Sequence, residues 1–187
     1  AARFVFSHRA VPHSMGCVNM KARLWYPQLD VYDTVRRMAL LLSAWRNNPP
    51  VLERLYIADF YLANPPLLYK TRMPSDVRSE FKRLALPHPQ KTFLSYPTAP
   101  ILFHKMEPIQ KKAFQALVGR GVVDVASARN GIAKLTSRGQ TFVDQELDNR
   151  LTAKESDLIG FLTAQFAILG DDGTKELRKR TGLRRLV

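Results

Sequence analysis

The chain of 187 residues holds one cysteine, Cys17, so neither a disulfide framework nor a cysteine-based zinc site is possible within a single chain. Long hydrophobic runs are missing. The longest uninterrupted apolar stretch, Met38 to Leu42, is far below the ~20 residues needed to span a bilayer, so no membrane partner is expected. Arg3 and Arg9 are not followed by an apolar block and a cleavage site, so no secretory signal is expected and a reducing, cytoplasmic setting follows. There is no glycine-rich loop of Walker or dinucleotide type: Gly119 to Gly121 is too short and follows a predicted helix rather than a strand. The four histidines, His8, His13, His88 and His104, are scattered, with no pair at the helical spacing of a zinc site. Cys17 lies near His13, but a nucleophile also needs an oriented base and an oxyanion site. Asp171 and Asp172 read as a surface turn. The chain is therefore expected to be no enzyme and to need no cofactor, metal or catalytic residue.

Carboxylates are also scarce, with 16 Asp and Glu against 29 Lys and Arg, and the resulting net charge of +13 speaks to partners rather than to fold. The excess is spread along the chain and is densest in the last thirteen residues, at +5, whereas residues 151 to 174 are the one acidic stretch, at −3. That suits a polyanion or an acidic protein, and a merely solvated basic surface has the same composition. A chain of this length buries roughly 70% of the surface its unfolded form exposes, enough for one domain or two interlocked ones.

Val31, Val35, Met38, Leu42 and Trp45 recur at steps of three and four, which predicts an amphipathic helix over 31–47 with Asp30 as N-cap. Pro49 and Pro50 break it, and Pro50 can open a second helix over Val51 to Ala63. Asp59 is the odd member of that aromatic helix; its expected role is to pair with an arginine or cap a loop. A third helix is predicted from Ser75 to Leu86, followed by an extended connection through Pro87, Pro89, Pro97 and Pro100. A fourth runs from about Lys105 to Val118, with Lys111 and Lys112 outward. Glycines 119 and 121 end it. The β-branched Val122, Val123 and Val125, the turn Arg129-Asn130-Gly131 and the return Ile132 to Leu135 then predict a hairpin, and Thr136-Ser137-Arg138-Gly139 opens a helix to about Asn149.

Helix, two-stranded wing and helix read as a winged-helix pattern. The expected fold is mainly α (α+β): an N-terminal arm over 1–30, a winged-helix-like core over 31–150 with a β-hairpin wing, and a C-terminal helix and basic tail over 151–187. Lys111, Lys112, Arg120, Arg129, Lys134 and Arg138 are the candidate DNA contacts, through phosphates. Thr152 and Glu155 form a capping box for the last long helix, predicted to Leu169. Its apolar band is wider than one core-facing stripe. Phe161 and Phe166, about 140° apart on an ideal helix, cannot share a narrow face, so Phe161, Phe166 and Leu169 are the candidate protein-interface residues.

Tyr26-Pro27, Asp30, Tyr32 and Thr34, then Leu55-x-Ile57-x-Asp59-Phe60-Tyr61-Leu62 closing at Pro65, and Met106-Glu107-x-Ile109-Gln110 with Ala113, Leu117 and Gly121 resemble the middle-component proteins of bacterial ABC-three-component systems. The match covers roughly 24–140 and departs at Ala63-Asn64, where bulkier apolar residues are expected. The resemblance implies a non-enzymatic subunit of a Lamassu-like defence complex, encoded between an SMC- or Rad50-like ATPase and an effector, often a nuclease. By analogy with the small winged-helix subunits of SMC-type machines, it is expected to bridge those two partners and help contact DNA. A charge of +13 spread without a base-reading cluster predicts that double-stranded DNA is bound weakly and without sequence preference. A second reading of the residues is a free-standing winged-helix transcriptional regulator.

Overall fold

Helices make up most of the structure, a computed structural model that describes residues 27–88, 98–166 and 173–183. The expected arm lies outside these residues apart from its end, where Pro27–Leu29 forms one turn of 3-10 helix. Helix α1, Val31–Ala44, begins where the Asp30 carboxylate accepts the Asp33 amide at 2.9 Å. Pro49 and Pro50 turn the chain into α2, Leu52–Ala63, whose N-cap is Val51. A 3-10 stretch, Pro65–Lys70, leads to α3, Ser75–Arg83. Helix α4, Ala99–Gly119, starts earlier than predicted because Pro100 sits in its first turn, where a missing amide hydrogen costs nothing. No helix among the described residues is long and apolar enough to cross a membrane.

Helix α1 packs against α2, α4 and α7 (Ala153–Thr163), so it is buried on several sides rather than along one stripe. In α2 every residue from Leu55 to Leu62 is buried. That run includes Asp59, whose burial is tolerable only with partners. Arg37 of α1 donates from Nε to Asp59 Oδ1 at 2.7 Å and from Nη2 to Thr34 Oγ1 at 2.9 Å, and its Nη1 meets Asp33. Gln110 of α4 donates from Nε2 to Asp59 Oδ2 at 2.8 Å and to the Tyr56 carbonyl at 2.9 Å. Burial pushes the Asp59 carboxyl above its ordinary range, against the opposing pull of the Arg37 charge and the Gln110 hydrogen bond. The carboxylate thus does the structural work expected of it, tying three helices at one point.

A continuous run of touching rings joins the remaining elements. Phe103 of α4 meets Phe60, which meets Tyr61; Tyr61 meets Phe166, then Phe161, then Phe81 of α3, then Tyr69, with centroids 4.8–6.1 Å apart, and His88 stacks on Tyr69 at 4.2 Å. The expectation that Phe161 and Phe166 cannot share a face is corrected here, since both are buried and in contact. Helix α7 ends at Thr163, so Phe166 has left the helix and the 140° projection does not apply to it. Leu169 lies outside the described residues. Trp45 fixes that end of α7 by donating from Nε1 to the Thr163 carbonyl at 2.9 Å.

The wing is the second correction. Among the described residues there is no two-stranded hairpin: Val125–Arg129 is a short helix, α5, and only two isolated β-bridges form, Val123 with Leu135 and Val51 with Ile132. The Asp124 carboxylate caps α5 by accepting the Ser127 amide at 2.8 Å, and Ala126 and Ala128 are strong helix formers. Gly131 is a turn residue with φ +73°, as expected, and residues 132–135 return beside the chain but are shared between two neighbours. Leu52 donates to the Gly131 carbonyl and Ala133 to the Pro50 carbonyl, while Asp124 donates to Lys134 and Thr136 to Val122, all at 2.8–3.0 Å. The amide hydrogen bond to Ser127 holds the Asp124 carboxyl below its ordinary range. Stability from such a group is present above its unfolded pKa and lost as pH falls through its folded one. Acidification below the usual aspartate range should therefore fray α5, read as loss of protection at the Ser127 amide.

Thr136 caps α6, Ser137–Phe142, which widens into a π-helical turn over Val143–Leu147 and then a 3-10 turn to Arg150 instead of continuing as one α-helix. At α7 the Thr152 hydroxyl accepts the Glu155 amide at 3.2 Å, and the Glu155 carboxylate reaches Arg36 of α1 at 2.8 Å. The basic tail is a docked helix, α8, Thr174–Thr181. Leu177 and Leu183 are buried, Arg178 pairs with Glu53 of α2, and Arg72 donates its amide to the Arg180 carbonyl at 3.0 Å.

Candidate functional site

The six cations singled out in the sequence lie on α4 and the elements after it, all exposed. Their settings differ. Lys111 bonds Glu107 one turn earlier at 2.7 Å, so part of its charge is spent inside α4. Lys112, Arg120, Arg129, Lys134 and Arg138 have no carboxylate within salt-bridge distance among the described residues, although Lys134 faces Asp124 across the bridged pair. Lys134 stands over a shallow cleft of about 230 Å3 whose wall includes Arg46. Sequence reasoning missed Arg46. It sits just beyond the end of α1, some ninety positions before Lys134, and only the pairing of 131–133 with the α1–α2 turn brings the two together.

Arg120 and Arg138 converge elsewhere. They flank a groove of about 250 Å3 between the first turns of α1, the last turns of α4 and helix α6. Its surface is apolar: Val31 and Val35 of α1, Leu117 of α4, and Val122. Two aromatic side chains stand at its margins, Tyr32 at 80% exposure and Phe142 at 37%. Tyr32 lies between residues with evident structural duties, Asp30 as the cap and Thr34 as a buried partner of Arg37, and has no such duty itself. Gly139 sets the closeness of α6 to this groove. A Cβ there would lie 2.2 Å from the Val122 carbonyl oxygen, so only glycine permits the approach.

No group of three or more metal-ligating side chains occurs among the described residues. His88 is stacked on Tyr69 and His104 lies 3.7 Å from Glu107; Cys17, His8 and His13 fall outside the described residues. What the described surface offers is charge and apolar area, which are means of binding.

Residues 23–186 match the family model for ABC-three component (ABC-3C) system Middle Component 5. The match extends well past the 24–140 span in which the resemblance was legible and takes in α7 and α8. No curated protein and no solved structure matches the chain.

Proposed function

As the chain belongs to the middle component 5 family of ABC-three-component systems, we propose that it is the non-catalytic accessory subunit of a cytoplasmic, Lamassu-like defence complex. In this reading it joins an SMC- or Rad50-like ATPase to an effector and adds a weak hold on double-stranded DNA. The observation that carries the DNA contact is the set of exposed cations in no salt bridge among the described residues, with Arg46, Arg129 and Lys134 around the 131–136 segment and Lys112 on α4. Cations placed against phosphates release counterions, so their affinity is salt-dependent and indifferent to sequence. Base reading needs a helix or ribbon seated in a groove, and among the described residues no two-stranded ribbon forms beside α6.

Two measurements test this. The tagged chain, expressed from its native gene neighbourhood, should co-purify with an ATPase of the SMC or Rad50 type; a chain that emerges alone refutes the accessory role. In fluorescence anisotropy two unrelated duplexes should bind alike, with affinity falling steeply from low to physiological salt. R129E/K134E should weaken that binding and leave the melting temperature within a few degrees, since exposed substitutions usually shift stability by no more than about 0.5 kcal/mol. Salt-insensitive binding, or binding confined to one sequence, would overturn the DNA contact.

A further inference from the structure

Contact with DNA does not account for the groove between α1, α4 and α6. A phosphate backbone can meet Arg120 and Arg138 but has nothing apolar to lay against Tyr32, Phe142 and the valines behind them. Apolar surface flanked by charge is the pattern of a protein-binding site, in which a large side chain supplies the anchor and polar neighbours set register. We propose that this groove docks an acidic segment of another subunit of the complex. One large aliphatic or aromatic side chain would sit between Tyr32 and Phe142, with carboxylates on Arg120 and Arg138. The proposal rests on the accessory-subunit reading and names the chemistry of the contact.

Charge selects this occupant over the others. Residues 1–26 carry Arg3, Arg9, Lys21 and Arg23 and no carboxylate, so this chain's own N-terminal segment would bring like charge to the two arginines. A second copy brings a net +13, against which its one acidic stretch, residues 151–174 at −3, is a small minority. An acidic partner instead gains two charge-assisted contacts with guanidinium groups that no carboxylate of the described residues engages. The volume of about 250 Å3 suits one or two anchoring side chains rather than the face of a folded domain.

The test uses the complex assembled from the co-expressed subunits. The photoreactive residue p-benzoylphenylalanine replaces Tyr32 or Phe142, and cross-linked peptides are identified by mass spectrometry. The expected adduct is a peptide of another subunit in which an apolar residue is flanked by Asp or Glu. R120E/R138E should lower affinity for that subunit at least tenfold, with R120Q/R138Q intermediate and R129E/K134E without effect, all four proteins melting together. If R120E/R138E fails to fold, the glutamine pair gives the reading alone. Adducts on residues 1–26, on a second copy, on DNA or on a peptide lacking carboxylates overturn the proposal, as does an assembled complex with no adduct. If the unmodified chain assembles with no subunit, the accessory reading fails first and takes this proposal with it.

Discussion

Asp59→Ala is expected to destabilise the protein by about 3–5 kcal/mol, the range for breaking one side of a buried ion pair. At roughly 2–4 °C per kcal/mol for a chain of this size, the melting temperature should fall by about 10 °C. The side chain of Arg37 is 3% exposed, and its Nε has Asp59 Oδ1 as acceptor at 2.7 Å. Asp33 and Thr34 remain to it in the variant, but that nitrogen is left facing a methyl group in a dry interior. The reverse truncation should be milder. In R37M the carboxylate keeps Gln110 and can take a proton, because burial has already raised its pKa. A carboxyl whose folded pKa exceeds its unfolded value favours the folded state while protonated, and that advantage is lost as pH rises through the folded value. R37M should therefore be more stable at about pH 5 than at about pH 8, a dependence that D59A cannot show at this site. Thermal melts of the two variants at both pH values test the argument, which fails if D59A melts within 2 °C of the parent.

Gly139→Ala should be the most damaging single-methyl change in the described fold, costing about 2–3 kcal/mol, near the upper end for overpacking a tight site. The new Cβ would stand 2.2 Å from the Val122 oxygen and 3.0 Å from Leu135 Cδ2. The oxygen cannot step aside, because it accepts the Thr136 amide at 3.0 Å, so relief requires α6 to rotate away from the chain that follows α4. That movement carries Arg138 and Phe142 with it, and binding through the groove should be lost before the protein unfolds. Gly160→Ala is the matched control. This glycine lies within α7 with nothing within 4 Å of an added Cβ, so alanine there should stabilise by about 0.5–1 kcal/mol. Melting temperatures of opposite sign separate the two; equal shifts would mean that α6 is free to move.

Features set within a few residues were legible in the sequence. Asp30 and Thr152 cap the helices they were expected to cap, and Thr136 caps the helix expected to open there, since a cap is a bond across three positions. The Asp59 carboxylate could be recognised as structural because an aromatic helix offers it little else, although its partner Arg37 could not be named. The wing was misread because the strand expected from Val122, Val123 and Val125 stops after Val123, where the Asp124 cap turns Val125 into a short helix. What separates the two is the pairing of 131–133 with Pro50 and Leu52, about eighty residues away and invisible to any local pattern. Phe161 and Phe166 were projected on one helix because nothing in their neighbourhood signals its end at Thr163. The groove was unreadable for a related reason, its wall being drawn from residues 31–35, 116–122 and 138–142.

The run of rings also constrains how the chain comes off a ribosome. Phe60 and Tyr61 are made early, but Phe161 and Phe166, which join them to Phe81 and Tyr69, follow about a hundred positions later. At ~5–20 residues per second, the half-made protein spends roughly 5–20 s with that aromatic face uncovered. Its vulnerable moment is therefore set by translation and lasts until Phe166, three residues past the end of α7, has left the ribosome. A slow stretch of message between α4 and α7 would lengthen that moment without altering a single residue of the finished protein.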